Sequence, residues 1–407
     1  MSWIQREPGR RILKEGMRGT DVVWLQEQLI QWGYALNGVD GHYGPLTAGA
    51  VKELQRDFKL RADGIAGPMV FSLLKSPPPF HIHTITQDVT LGSIARQWGI
   101  GIVGLKETNR RVTRAGLYRG RRLIIPCRHI LTYGDPVGPR LLSRLTENAP
   151  QITGLLLPVS SGEKPKEELL RLALDQDLGV YLQLCIDEQF PLFVRWRRRK
   201  ELLQEISRLC HRTMARAVLV DSLSNPRFFI PSFLGRLRQV LNERQRQLMV
   251  TYTHRRKGPV FTGLAQGDWV VLQLPQEGSA PGLPPWSLLR AGILRLRQLV
   301  PPWRILLSLP LCGWRYDPDT QRTEPISHWE SLELLRKARS KPDFSEEFKA
   351  MEFSYGAVQV WLPTDSTLAH WLWLVNRYNL GGVVLTGVGL EDGRLWRNFK
   401  QHFLIHK

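Results

Sequence analysis

The sequence is poor in cysteine and has no long apolar run. Its four cysteines are spread over 407 residues without a Cys-x-x-Cys pair, which argues against a zinc site or a disulfide scaffold. No apolar stretch approaches the roughly 20 residues that cross a bilayer, so we expect no membrane span. Residues 1–8 lack the apolar core of a standard signal peptide. We therefore expect synthesis in the cytoplasm and reduced, mostly buried thiols. No metal or organic cofactor is implied.

Acidic residues are also scarce. There are 37 of them against 56 lysines and arginines, which gives a formal net charge of +19. A field of this sign attracts polyanions, including nucleic acids and anionic wall polymers. Because no recognisable nucleic-acid-binding module accompanies the charge, we expect no specific nucleic-acid partner. General polyanion binding stays open as an alternative function.

Residues 12–75 are predicted to form a compact three-helix unit. Apolar residues recur at helical spacing from Val22 onward, and Asp21 is the expected N-cap of this first helix. Further helices are expected over residues 46–58 and 69–74. Two Asp-Gly turns connect the helices, and such turns need residues that tolerate a positive φ.

The motifs of this unit resemble those of the peptidoglycan-binding domain type 1. The pattern G-x-x-G-x-D-V-x-x-L-Q covers residues 16–26, and D-G-x-x-G-P covers residues 63–68. The resemblance implies a groove that binds a wall glycan. Polar groups around that groove would make the contacts, and our candidates are Asp40, His42 and Tyr43.

A second small unit is expected after a proline-rich linker at residues 76–80, whose consecutive prolines favour an extended chain. Residues 81–128 are predicted to form a strand, two helices and a strand. The segments D-V-T-L-x-S-I-A at 88–95 and G-x-x-L-I-I-P at 120–126 resemble the LysM domain. That family binds chains of N-acetylglucosamine in a groove between two loops.

The LysM resemblance implies which residues of this chain would contact the glycan. The two loops correspond to residues 88–90 and 108–112. The candidate contacts are Asp88, Val89, Thr90, Thr108, Asn109 and Arg110. Asp88 and Thr90 are also placed to cap the following helix, and the two roles are compatible.

Residues 129–407 are predicted to form a parallel (β/α)8 barrel. Short apolar strands alternate with amphipathic helices, and their number and spacing match this fold. The predicted strands are 129–133, 153–158, 180–186, 217–221, 247–253, 269–274, 305–309 and 382–385. An insertion of mixed α and β structure is expected at about 314–363. The predicted fold is therefore multidomain: a three-helix domain, a small α+β domain and a TIM barrel with an α+β insertion.

The fourth predicted strand carries a partial catalytic motif. Residues 216–223 read R-A-V-L-V-D-S-L and resemble the Asp-x-x-Asp-x-Asp-x-Glu strand of family 18 glycoside hydrolases, the chitinase-like barrels. In that alignment Asp221 keeps the aspartate that orients the acetamido group of the substrate. Leu223 replaces the glutamate that protonates the leaving oxygen. General acid catalysis contributes roughly 10²–10⁴-fold, so the resemblance predicts that activity has been lost.

Two other strands also depart from the family pattern. Pro275 replaces a tyrosine on the sixth strand, and Thr386 replaces a tryptophan on the eighth. Three carboxylates in loops at the same mouth are candidates for a displaced acid. They are Asp187, Glu188 and Glu277.

These patterns lead to one favoured hypothesis and one main alternative. Residues 380–392 resemble the end of the family 18 barrels in spore cortex-lytic and germination proteins. We therefore expect a protein of the spore coat, cortex or cell wall that binds peptidoglycan or another N-acetylglucosamine glycan, with a non-catalytic barrel. The alternative is an active peptidoglycan N-acetylglucosaminidase that uses a displaced acid.

Overall fold

In the computed structural model the chain forms a helical unit, a small βααβ unit and an eight-stranded parallel barrel. The structure describes residues 7–32, 34, 36–58, 60–75, 80–110, 116–134, 138–159, 165–185, 196–221, 230–253, 268–273, 282–338 and 341–405. The predicted helical unit and the predicted barrel are both confirmed.

The helical unit consists of α1 (Thr20–Gln31), α2 (Pro45–Asp57) and α3 (Pro68–Lys75). The predicted helices agree with these to within a few residues, but the predicted cap of α1 was wrong. The N-cap of α1 is Gly19, which makes no side-chain capping bond. Asp21 lies within the first turn, where its carboxylate accepts hydrogen bonds from an arginine side chain instead.

Two buried glutamines hold the Asp-Gly turns of this unit. Gln26 on α1 accepts from the backbone N–H of Gly41 at 2.9 Å and donates to Asp40 Oδ1 at 2.7 Å. Gln55 on α2 does the same for the second turn, accepting from Gly64 N at 2.8 Å. Gly41 and Gly64 have φ of 67° and 76°, a conformation that glycine adopts without strain. The turns therefore form an internal repeat.

The βααβ unit has a core between two helices and two antiparallel strands. Its elements are β1 (Phe80–Thr84), α4 (Leu91–Trp98), α5 (Ile102–Thr108) and β2 (Arg122–Tyr133). Thr90 caps α4, because its Oγ1 accepts from the N–H of Ser93 at 3.1 Å. The fully or nearly buried residues of the core include Ile94, Leu105 and Leu123.

All eight predicted barrel strands are present, and every neighbouring pair is parallel. After the C-terminal half of β2 they are β3 (Gly154–Val159), β4 (Gly179–Cys185), β5 (Ala217–Asp221), β6 (Gln247–Thr253), β7 (Trp269–Gln273), β8 (Ile305–Pro310) and β14 (Gly382–Thr386). Because β14 pairs with both β8 and β2, the sheet closes. On β5, Leu219 packs inside the barrel while Val218 and Val220 pack outward against helices.

The helices of the barrel lie mainly outside this sheet. They are α6 (Pro139–Asn148), α7 (Glu167–Asp175), α8 (Trp196–Arg212), α9 (Ile230–Asn242), α10 (Trp286–Leu296), α12 (Asp365–Tyr378) and α13 (Arg397–His402). Cys127, Cys210 and Cys312 are free and buried, as expected from their apolar surroundings. Within the described ranges, no helix has both the length and the apolar character that a bilayer span requires.

The predicted insertion is an antiparallel sheet with one helix. Its strands β9 (Gly313–Asp317), β10 (Arg322–Ile326), β11 (Asp343–Ser345), β12 (Ala350–Tyr355) and β13 (Val358–Leu362) have the spatial order β10-β9-β13-β12-β11. Its helix is α11 (His328–Lys337). The insertion of mixed α and β structure was predicted at about 314–363. Strands β9, β10 and β11 are short and carry exposed polar residues.

Strand β2 belongs to two parts of the molecule at once. Residues 122–126 pair with β1, and residues 129–132 pair with β14 of the barrel. Between them, Cys127 and Arg128 pair with the short C-terminal strand β15 (Leu404–Ile405). The last strand of the βααβ unit is thus the first strand of the barrel, and the expected boundary at residue 128 lies within it.

Close packing also joins the helical unit to the barrel and helix α5 to helix α13. The ring of Phe58 in the helical unit meets Trp303 of the barrel edge-on, with centroids 5.9 Å apart. In the βααβ unit, a Cβ added to Gly104 on α5 would lie 1.8 Å from the carbonyl oxygen of His402. Only glycine allows this backbone approach, so α5 and α13 are in direct contact.

Candidate functional site

Polar side chains line the inner face of the barrel at the C-terminal ends of adjacent strands. Tyr181, Leu219, Met249 and Val271 pack in the barrel interior. Residues two positions further along a strand point the same way. They are Gln183, Asp221, Thr251 and Gln273. This end of a TIM barrel is where catalytic groups occur, so the four residues define the candidate barrel site.

Asp221 is the residue of this layer that can exchange a proton. It is 3% exposed, and its Oδ2 accepts from Gln183 Nε2 at 3.0 Å. Its Oδ1 has no hydrogen-bond partner in the part of the chain that the structure describes. Burial raises the pKa of the Asp221 carboxyl, and the hydrogen bond from Gln183 opposes this only in part. The site therefore makes the carboxyl of Asp221 easier to protonate than that of a free aspartate, and a protonated carboxyl can donate a hydrogen bond as well as accept one.

The other positions taken from the family 18 pattern are less fully described. Thr386 ends β14, is half-buried, and accepts a backbone hydrogen bond from Leu311 at 2.9 Å. Its short side chain offers no ring on which a sugar could stack. Two further positions of the pattern, Leu223 and Pro275, lie outside the described residues, and so do the three candidates for a displaced acid, Asp187, Glu188 and Glu277.

Two of the three candidates in the helical unit are accessible. Asp40 is exposed, and hydrogen bonds from Gln26 and the His42 backbone lower the pKa of its carboxyl. His42 is half-buried beside it. Tyr43 is fully buried, and its hydroxyl donates to Gly64 O at 2.8 Å. Tyr43 is thus a core residue that supports the turn, and it is not part of the accessible surface.

The candidates of the βααβ unit also divide into exposed and buried residues. Asp88 and Thr90 are exposed, and Val89 packs partly against the core. On the second segment, Thr108 and Asn109 are 4% and 5% exposed. Arg110 is half-buried.

The side chain of Asn109 is fully used within the unit. Its Nδ2 donates to Leu105 O at 2.9 Å and to Ile124 O at 2.7 Å, and its Oδ1 accepts from Ile124 N at 2.8 Å. Asn109 therefore ties α5 to β2. A glycan role for this residue stays a prediction.

Sequence reasoning missed a cavity beside these residues. A groove of about 850 Å³ is lined by Thr108, Asn109 and Arg110 together with residues of the helical unit and the barrel. Residues 88–90 are not part of its lining. No sequence motif marks this groove, because three separate units contribute to it. In the described ranges, no three His, Cys, Asp or Glu side chains lie close enough to hold a metal ion.

Fold and site together describe a parallel eight-stranded barrel with an antiparallel insertion sheet, joined to a three-helix unit. Residues 18–74 match the family described as "Putative peptidoglycan binding domain". The fold resembles that of the spore cortex-lytic enzyme SleL of Bacillus megaterium QM B1551, with a TM-score of 0.61 and 16% identity over 87% of this chain and 96% of that one.

Two further similarities concern parts of the chain. A chitinase from Chromobacterium violaceum ATCC 12472 has a TM-score of 0.59 and 17% identity, covering 68% of this chain and 99% of that one. An uncharacterized glycosylase of Bacillus subtilis (strain 168), YvbX, is 25% identical over 104 residues. That match covers 24% of this chain and 30% of YvbX, so the chain spans less than a third of that relative's length.

Proposed function

We propose that this protein binds peptidoglycan at the spore or cell wall and that its barrel does not hydrolyse the glycan. The observation that carries the proposal is the match of residues 18–74 to a peptidoglycan-binding family. Asp40 and His42 lie together on the accessible side of the first Asp-Gly turn of this unit. In the proposal they contact the amide and hydroxyl groups of the wall polymer.

The βααβ unit supplies a second glycan contact in this proposal, as a LysM-like domain. Its order of elements and its exposed Asp88 and Thr90 support that role. Thr90 already uses its hydroxyl to cap α4. We therefore assign recognition here to the backbone of residues 88–90 and to the carboxylate of Asp88.

A non-catalytic barrel is supported by the chemistry of its mouth. Asp221 is buried beside Gln183, and burial raises the pKa of its carboxyl. In the family 18 pattern this residue orients the acetamido group, and a separate glutamate donates the proton. Leucine stands at that second position, residue 223. The proposed barrel can hold an acetamido group but lacks its proton donor.

Cosedimentation of the full chain with purified sacculi tests the binding proposal. We expect the chain to pellet in low and moderate salt, whereas binding by net charge alone would disappear as salt screens it. His42→Ala should reduce pelleting, and His211→Ala, an exposed histidine on α8, is the matched control. Failure to pellet, or equal binding to DNA at every salt concentration, would count against the proposal.

Release of reducing sugar ends from the same sacculi tests the barrel. We expect none above a protein-free blank. The alternative, an N-acetylglucosaminidase with a displaced acid, predicts release that a single carboxylate substitution abolishes. Asp187→Asn, Glu188→Gln and Glu277→Gln are the variants that identify such an acid, and Asp175→Asn is a control outside the barrel mouth.

A further inference from the structure

A groove lies where the helical unit, the βααβ unit and the barrel meet. It encloses about 850 Å³, enough for a disaccharide with attached groups. The helical unit contributes the end of α2, and the βααβ unit contributes the residues after α5 and the start of β2. The barrel contributes the ends of α10 and α12.

The three walls are fixed relative to one another. The shared strand β2 continues from the βααβ unit into the barrel. The contact of Phe58 with Trp303 fixes the helical unit on the barrel, and the approach of Gly104 to His402 fixes α5 on α13. The shape of the groove is therefore built into the fold, and a ligand need not assemble it.

Among the described residues, the lining carries an excess of positive charge, with six arginines against three carboxylates. The arginines are Arg56, Arg110, Arg121, Arg122, Arg297 and Arg377. Two of the carboxylates, Glu53 and Asp57, lie 2.8 and 3.7 Å from the guanidinium of Arg122. The third, Glu107, faces His402 at 3.4 Å.

The barrel side of the groove concentrates positive charge. The guanidinium of Arg297 lies 5.3 Å from the centre of the Tyr378 ring. Arg377 directly precedes Tyr378 in the chain. Burial lowers the pKa of Arg297, and the positive charge of Arg377 adds to this. An anion bound near both guanidinium groups would relieve their mutual repulsion.

A buried hydroxyl and an exposed ring complete the lining. Thr108 is 4% exposed, and its Oγ1 has no hydrogen-bond partner among the described residues. A buried polar atom of this kind is costly unless a ligand or water satisfies it. Tyr118 is 57% exposed, and the guanidinium of Arg121 lies 4.5 Å above its ring. The groove thus offers cations, one unused hydroxyl and a flat surface.

We propose that this inter-unit groove binds the oxyanion groups of a wall polymer, and that these are the carboxylates of the peptidoglycan strand and its peptide stems. Arginine forks match the geometry of carboxylate and phosphate alike. The choice of carboxylate rests on the proposed peptidoglycan function, while the oxyanion site itself rests on the lining. The site adds to the two glycan contacts above, because it recognises charge that N-acetylglucosamine lacks.

Binding of three soluble probes to the full chain tests this inference. The probes are muropeptides with free peptide carboxylates, neutral N-acetylglucosamine oligomers and poly(glycerol phosphate). The groove variant is Arg56→Gln with Arg377→Gln. Its control is Arg208→Gln with Arg244→Gln, two exposed arginines outside the lining. Equal melting temperatures would establish that both variants fold.

We expect the groove variant to bind muropeptides roughly tenfold more weakly than the control variant, with unchanged binding of the neutral oligomers. Thr108→Val should weaken the same probe by roughly threefold. Equal affinities of the groove and control variants for both anionic probes would overturn the site. A loss confined to poly(glycerol phosphate) would overturn the carboxylate assignment. If sacculi do not bind at all but the groove variant still loses affinity for an anionic probe, the proposed function fails and the site stands.

Discussion

Two aspartates, one in the helical unit and one in the barrel, are almost equally buried and yet behave in opposite ways. Asp21 is 1% exposed and Asp221 is 3% exposed. Burial disfavours the charged form of both, but Arg11 lies 2.7 Å from Asp21 and the net effect lowers the pKa of that carboxyl. Asp221 instead lies beside the neutral amide of Gln183, and burial raises its pKa.

The difference separates a structural role from a potential binding role. In the helical unit, Arg11 satisfies the carboxylate of Asp21 and the buried glutamines satisfy the backbone of the turns, so these groups stabilise the fold. In the barrel mouth, one oxygen of Asp221 has no partner among the described residues. A polar atom left open in a buried layer is where a ligand can bind. The predictions below test this contrast from the largest expected effect to the smallest.

Removing Arg11 from its pair with Asp21 should lower the stability of the protein most. Arg11→Ala leaves Asp21 as a buried charge without its partner, and we expect a loss of about 3 kcal/mol in the free energy of unfolding at neutral pH. Arg10→Ala, which breaks the exposed pair with Glu7, should have no measurable effect. Chemical denaturation of both variants checks this. Equal stabilities would show that Arg11 does not support Asp21.

Removing a turn-holding glutamine should cost somewhat less. Gln26→Leu leaves the backbone N–H groups of Asp40 and Gly41 without their acceptor, and we expect a loss of about 2 kcal/mol in the free energy of unfolding. Gln31→Leu, at an exposed position on the same helix, is the control. Hydrogen exchange of the amides in residues 36–44 should increase in the first variant and stay unchanged in the second.

In the barrel, replacing Gln183 by leucine should lower the free energy of unfolding by about 1 kcal/mol. Gln183→Leu removes the hydrogen bond that the Gln183 amide donates to Asp221. Gln273→Leu on β7 is a matched control, because its Oε1 already lacks a partner in the described part of the chain. A loss of 2 kcal/mol or more would show that the barrel mouth is held together as tightly as the Asp-Gly turns.

The smallest effect, and one of opposite sign, is expected for Asp221→Asn. Because the folded state raises the pKa of Asp221, this carboxyl weakens stability as pH rises above the ordinary carboxyl value. The asparagine variant should therefore gain stability relative to the native chain as pH rises. Asp21→Asn should lose stability relative to the native chain over the same change, because the pKa of Asp21 is lowered and its contribution disappears only as pH falls. Parallel pH curves for the two variants would contradict the contrast.

The sequence predicted the barrel well because parallel strands carry a strong local signal. The continuous apolar run of Ala217–Val220, for example, needs only its own residues to be identified. The helical unit was predicted from its motifs, yet Asp21 was taken for a cap. Its true partner, Arg11, lies ten positions earlier, where neither spacing nor propensity points to it.

The site was less predictable than the fold. Asp221 was found because it belongs to a family pattern, whereas Gln183 contributes from another strand, 38 residues away. Tyr43 was misplaced on the surface, since a tyrosine beside a glycine turn is as typical of a binding loop as of a core. The arginine groove depends on contacts between three units, and these contacts have no counterpart in the local sequence.

The shared strand β2 has a mechanical consequence. A pull on the βααβ unit enters the barrel along the backbone of this strand, without passing through a flexible connection. The load is then divided among the pairings of β2 with β3, β14 and β15. The hydrogen bonds of all three pairings would have to break together before β2 could leave the sheet. Tension on this unit would thus strain the closed sheet itself, including the strand ends at which Asp221 and its neighbours lie.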